Sequence, residues 1–126
     1  RDIGSRNSEG SILNNIGLIY ESLDQYSQAL EFQERALVIL QEVGDHSGEG
    51  STLGNIGSIY SSLGQYPQAL DSYKEALSIF RRIGDLSGES VMLNNIGAVY
   101  DDLSQYSQAL DTYNQALIIS RDTLNR

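Results

Sequence analysis

Residues 53–80 read LGNIGSIYSSLGQYPQALDSYKEALSIF. Leu53, Ile56, Gly57 and Tyr60 fall at i, i+3, i+4 and i+7, which is one stripe of an α-helix. The stripe stops at Leu63-Gly64-Gln65-Tyr66, where Gly64 suits the left-handed conformation that closes a helix. Pro67 then stands where a new helix starts, a place where its missing N–H has no helical partner to lose. Ala69, Leu70, Tyr73, Ala76, Leu77 and Phe80 form a second stripe. It stops near Gly84, and Asp85 offers a side-chain oxygen to cap the helix after it. The stretch therefore predicts two antiparallel helices joined by a short turn.

Outward from this stretch, the same pattern returns 40 residues away on both sides. Tyr20, Tyr60 and Tyr100 are one series; Leu13, Leu53 and Leu93 are another, and so are Gly17, Gly57 and Gly97. The second helix repeats as well: Ala29, Leu30, Ala36 and Leu37 return at Ala69, Leu70, Ala76 and Leu77, then at Ala109, Leu110, Ala116 and Leu117. No gap is needed in any copy. A fixed period of this size is the mark of a solenoid, in which each unit buries its apolar face against its neighbours. The predicted fold class is all-α, with three antiparallel helix pairs in series. A glycine inside a helix costs about 1 kcal/mol relative to alanine, so its recurrence at 17, 57 and 97 points to close helix packing. Gly57 is expected to face Ala69 and Ala76, with Tyr60 and Tyr73 filling the space beside the contact.

Composition narrows the function classes. The 126 residues carry 8 Lys+Arg and 17 Asp+Glu, a net charge of −9. Nucleic acid and anionic membrane surfaces repel such a chain. No apolar run approaches the roughly 20 residues of a membrane span. There is no cysteine, which removes disulfides, thiolate metal sites and cysteine nucleophiles from consideration and fits a cytoplasmic protein without deciding the compartment. His46, the one histidine, falls in a loop after Asp45 and reads as a solvated residue. Asp101 and Asp102 are adjacent and point about 100° apart on a helix, a poor metal site. Gly48-Glu49-Gly50 lacks the lysine and the preceding strand of a phosphate loop. No catalytic constellation, metal or cofactor is expected. Glu9, Glu49 and Glu89 recur at the start of the first helices, where a carboxylate favours the positive end of the helix dipole.

Leu53, Ile56-Gly57, Tyr60, Gly64-x-Tyr66, Ala69, Tyr73 and Ala76 resemble the tetratricopeptide repeat (TPR) pattern, and matching residues in both other copies extend the resemblance over nearly the whole chain. The first large residue is leucine where that family has tryptophan, and Gln41, Arg81 and Arg121 replace its terminal proline. The period of 40 exceeds the usual 34 by roughly one and two-thirds helical turns, so both helices should be longer than standard. This is similar to the long-repeat subgroup of kinesin light chains, Pins/LGN-type adaptors and bacterial multi-repeat proteins. The resemblance implies a right-handed superhelical scaffold that takes peptides or proteins in a concave groove lined by the first helix of each pair. Arg1-Asp2-Ile3-Gly4-Ser5 matches the helix end Arg81-Arg82-Ile83-Gly84-Asp85. Residues 1–5 are therefore read as the tail of a preceding repeat, with repeats at 6–46, 47–86 and 87–126, the whole a segment of a longer or engineered array.

In that register the groove candidates are Asn14, Asn15, Leu18, Asn55, Ser58, Asn94, Asn95 and Ala98. Asparagine is a mediocre helix former, and an amide both donates and accepts. A ladder of Asn15, Asn55 and Asn95 suits the backbone of an extended peptide, a use of asparagine that the resemblance also implies. The competing reading is that these amides bond to the neighbouring repeat and hold the stack together; the two roles are compatible. The further groove positions are Ser11, Ser51 and Val91; Glu21, Ser61 and Asp101; and Ser22, Ser62 and Asp102. None is Lys or Arg, so the carboxylate clamp of chaperone-binding relatives is absent. A neutral groove with acidic ends favours a basic or amide-rich peptide or protein partner. The alternative function is a structural spacer or self-assembling segment without a ligand of its own. For that reading, Leu117, Ile118 and Leu124 on the last helix are expected to leave an apolar strip that meets the first helix of another copy head to tail, more strongly in added salt.

Overall fold

Asp45 and Asp85 begin helices in the way their positions predict. Each side chain accepts from the backbone N–H three residues on, Gly48 and Gly88 respectively, at 2.9 Å. The preceding helices end at Gly44 and Gly84, both at φ +74°, where only glycine avoids the left-handed penalty. These paired stop and start signals cut the chain into repeats. Within each repeat a second left-handed residue turns the chain back: Asp24, Gly64 and Ser104 occupy it, at φ 59°, 74° and 60°.

The computed structural model describes residues 2–124, apart from the side chains of residues 123 and 124. It contains α1 (Ile3–Ser22), α2 (Tyr26–Val43), α3 (His46–Ser62), α4 (Tyr66–Ile83), α5 (Leu86–Asp102) and α6 (Tyr106–Leu124). The helices pack as the pairs α1·α2, α3·α4 and α5·α6, and each pair stacks on the next mainly through α2·α3 and α4·α5. The result is an all-α helical repeat solenoid. Five of the six helices span 17 to 19 residues and α1 spans 20, which accounts for the long period.

The second and third repeats share one core, while Leu13, Ala36, Ile39 and Leu40 of the first pair form a separate cluster. Leu53, Tyr73, Ala76, Leu77 and Phe80 of the middle pair are buried together with Met92, Leu93, Ile96 and Val99 of the next. Phe80 shows how the stack is closed. A Cβ added at Gly50 would lie 2.9 Å from its ring and one at Gly88 2.5 Å, so one aromatic side chain uses the space left by glycines on two different helices.

Three expectations change in detail. The nearest neighbour of Gly57 is the ring of Tyr73, 2.7 Å from a Cβ placed there, rather than Ala69 or Ala76. Tyr73 lies between those alanines on the same stripe, and its ring covers the glycine. Ile3–Ser5, matched in sequence to the end of a second helix, forms the first turn of α1; Asp2 caps it by accepting from Ser5 N–H at 2.7 Å, and Gly4 has no left-handed φ. Leu117 and Ile118 also separate. Leu117 is 47% exposed where Leu77 is 7%, because among the described residues no further helix covers that side of α6 as α5 covers α4. Ile118 is exposed for a different reason: Val38 and Ser78, its counterparts, are exposed too, so it lies on the outer face. The side chain of Leu124 lies outside the described residues.

Candidate functional site

The first helices α1, α3 and α5 carry the candidate groove. Between α3 and α5 lies a cleft of about 460 Å³. Ser51, Asn55 and Ser58 line one wall, Val91 and Asn95 the other, over Met92 and Phe80. The cleft follows from the sequence locally. Gly54 leaves room on α3, and a Cβ there would lie 3.0 Å from Met92 Cε. The small serines at 51 and 58 keep the walls low.

Of the expected groove residues, the structure brings Asn55, Ser58 and Asn95 together around this cleft. Asn15, Leu18 and Ala98 are exposed on α1 and α5 outside its lining. Asn15 and Asn95 make no hydrogen bond among the described residues; Asn15 is exposed and Asn95 half-buried. Asn55 is engaged: its Nδ2 donates to Asn14 Oδ1 at 3.2 Å and reaches Gln33 Oε1 at 3.5 Å.

Asn14 is turned into the junction between the first two repeats rather than into the groove. Its Nδ2 donates to Thr52 Oγ1 at 2.8 Å, and its backbone carbonyl accepts from Gln33 Nε2 at 3.0 Å. Asn94, its counterpart two repeats on, faces a separate cleft beside Tyr113 and Leu117. Both departures follow from the 100° step between neighbouring helical residues: position 15 and its equivalents look inward, whereas position 14 looks along the stack. The ladder therefore divides, with Asn15 and Asn95 free and Asn55 bonded across the junction.

Two members of this network escaped sequence reasoning. Gln33 and Thr52 are fully buried, and their polar atoms are all satisfied. A signal existed in the departures from the repeat. Gln33 stands where Tyr73 and Tyr113 stand, and Thr52 where Ile12 and Met92 stand. Two polar departures in register mark a polar contact.

Acidic side chains flank the groove. Glu21 accepts from Ser58 Oγ at 2.8 Å, and Asp101 and Asp102 are exposed on α5. Burial pushes the Tyr73 hydroxyl above its ordinary value of 10, and the Glu21 carboxylate adds to the shift while the Ser58 hydrogen bond opposes it. Burial, with Asp101 and Asp102, likewise raises Tyr113. Among the described residues no group of three or more His, Asp or Glu is placed to hold a metal ion. No helix there is long and apolar enough to cross a membrane.

The profile of the Tetratricopeptide repeat family matches residues 8–82 and again 52–122. The chain belongs to the tetratricopeptide repeat family. Solved structures agree with this TPR assignment. BtubC (BKLC) from P. vanneervenii is 25% identical, with a TM-score of 0.86 over 97% of this chain and 51% of its own. Aspartyl phosphate phosphatase F from Bacillus subtilis is 18% identical, with a TM-score of 0.91 over 98% of this chain and 32% of its own. The TPR2AB domain of yeast Sti1, in its pHSP90 complex, is 19% identical, with a TM-score of 0.80 over 90% of this chain and 42% of its own. The TPR chain described here thus spans about half of the first of these proteins and a third of the second. Curated protein sequences give no match. Family membership and the shared fold support a protein-interaction scaffold.

Proposed function

We propose that the groove formed by α1, α3 and α5 binds an extended peptide or a helix of a partner protein, and that the partner is basic or amide-rich. The observation that carries this reading is the pair of unbonded amides, Asn15 and Asn95, on the first helices, among acidic side chains and without Lys or Arg at the groove positions. The free amides supply backbone contacts that do not depend on side-chain identity. The carboxylates of Glu21, Asp101 and Asp102 supply the preference for positive charge. The yeast Sti1 domain, whose structure is a complex with pHSP90, shows the same fold engaged with a partner and lends support to this reading.

Calorimetric titration tests it. Two unstructured decapeptides of equal length serve as probes, one rich in Lys and Gln and the other in Glu and Gln. The Lys/Gln peptide is expected to bind and the Glu/Gln peptide is not. The variant N15A/N55A/N95A is expected to lose affinity while its circular dichroism stays helical, each open amide being worth about 0.5–1.5 kcal/mol net. Equal binding of both peptides, or unchanged affinity in the triple variant, would remove the acidic amide groove from consideration.

A further inference from the structure

The charges of the chain are not spread evenly over its repeats. Lys74 is its one lysine, and it stands where the first and third repeats have Glu34 and Asn114. Arg81 stands where they have Gln41 and Arg121. Both line a cleft of about 510 Å³ on the side of the second helices, between α4 and α6 and over α5. Helices bound it on both sides, so it is not an end of the stack. Leu77, Leu93 and Ile96 make an apolar floor. Lys74 is exposed, lies 5.8 Å from the centroid of the Tyr100 ring, and makes no ion pair among the described residues. Arg81 follows seven residues on, roughly 10 Å along the helix. Its Nε donates to Glu89 Oε2 at 3.1 Å, which leaves guanidinium N–H groups for a second acceptor.

We propose that this cleft is a second binding site, and that it takes a short acidic segment of a partner protein. One carboxylate of the segment meets Lys74, another meets Arg81, and an apolar side chain between them rests on the floor. The occupant follows from the charges. The corresponding places on α2 and α4 hold Glu34 and Gln41, and Glu75 stands where α6 has Gln115. The earlier position is therefore acidic and the later one carries two cations, on helices that otherwise match. Such a difference selects the sign of a ligand.

The rest of the lining sets the pattern of the segment. Gln108 on α6 and Ser78 on α4 give neutral donors and acceptors along the walls. Asp111 falls midway along the α6 wall and accepts from Gln115 Nε2 at 3.1 Å. The middle of the cleft therefore disfavours a carboxylate and suits the apolar side chain. Charge alone does not hold the segment, because a chain of net charge −9 repels an anion at long range. The apolar contact and both cations are needed together. The site is independent of the amide groove, with which it shares no residue.

Calorimetric titration of the full chain tests this with three decapeptides: one of Glu and Ser with a central Leu, the same peptide with Ser in place of Glu, and the Glu/Gln peptide, which has no apolar side chain. Only the first is expected to bind. Lys74→Glu copies Glu34, and Arg81→Gln copies Gln41, which donates to Glu49 at 3.4 Å as Arg81 does to Glu89. Both positions are exposed, and circular dichroism checks that the helices persist. K74E and R81Q are each expected to weaken binding about tenfold or more, the loss of one charge-assisted contact. N15A/N55A/N95A is expected to bind the Glu/Leu-containing peptide as the parent chain does. No binding of that peptide, equal binding of its Ser analogue, or unchanged affinity in either K74E or R81Q overturns the proposal, as does a loss of binding in the amide variant.

Discussion

Gly57 is the residue on which the helix pair depends most visibly, because the Tyr73 ring lies where a side chain would go. Gly57→Leu forces the ring or the backbone to move and should destabilise by about 1–3 kcal/mol or more. Ser58→Leu, one residue away, faces the cleft and loses a hydrogen bond to Glu21, a smaller effect of about 1 kcal/mol. Chemical denaturation of both variants checks the difference, and coincident midpoints would contradict the faces assigned to α3. Tyr73 carries a second expectation. Its folded pKa is raised, so the neutral form is favoured in the folded state. The associated stability is present below pH 10 and is lost as pH rises through the folded value. Tyr26 and Tyr113 are raised as well, Tyr26 chiefly by its hydrogen bond to Asp24. Tyr73→Phe should therefore reduce, without abolishing, the decline in thermal midpoint above pH 10. An unchanged decline would mean that Tyr73 stays neutral to the same extent when unfolded.

At the scale of the element, the turn within each repeat decides how tightly the helices pair. All three copies use a left-handed residue there, yet only the middle one is glycine. Left-handed backbone costs a non-glycine residue about 1–2 kcal/mol, partly offset because glycine loses more freedom on folding. Tyr26 donates to Asp24 Oδ1 at 3.0 Å and so supports that turn, whereas Tyr106 reaches Ser104 Oγ only at 3.3 Å. Ser104→Gly is accordingly expected to stabilise by about 0.5–1 kcal/mol, measured as a higher denaturation midpoint. A lower midpoint would show that the Ser104 hydroxyl contributes more than the strain removes. The helices themselves were legible in the sequence because caps and stops recur in register: Asp45 and Asp85 at the starts, Gly44 and Gly84 at the ends. The start of α1 was not. Ile3-Gly4 copies Ile83-Gly84 in sequence, but a glycine also fits the first turn of a helix, and Asp2 supplies the cap that starts one there.

For the whole molecule, a gap-free period carried the architecture, since repeats that match position by position must present matching faces to one another. The candidate site was legible only in part. Periodicity brought out positions 15, 55 and 95 together, but whether an amide is free depends on what the preceding repeat offers it. Asn55 finds Asn14 and Gln33; the corresponding places for Asn95 hold Gly54 and Tyr73, which leave its amide open. The information lies in departures from the repeat, which a search for regularity passes over. The account's central claim is that the groove of α1, α3 and α5 takes a basic or amide-rich ligand. Mapping backbone amide shifts by NMR as the Lys/Gln decapeptide is added tests it most directly. The expected result is saturable shifts at Asn15, Asn55, Ser58, Val91 and Asn95, with α2, α4 and α6 unchanged on their outer faces. Shifts confined to the outer faces of those second helices, or none at any peptide concentration, would contradict it.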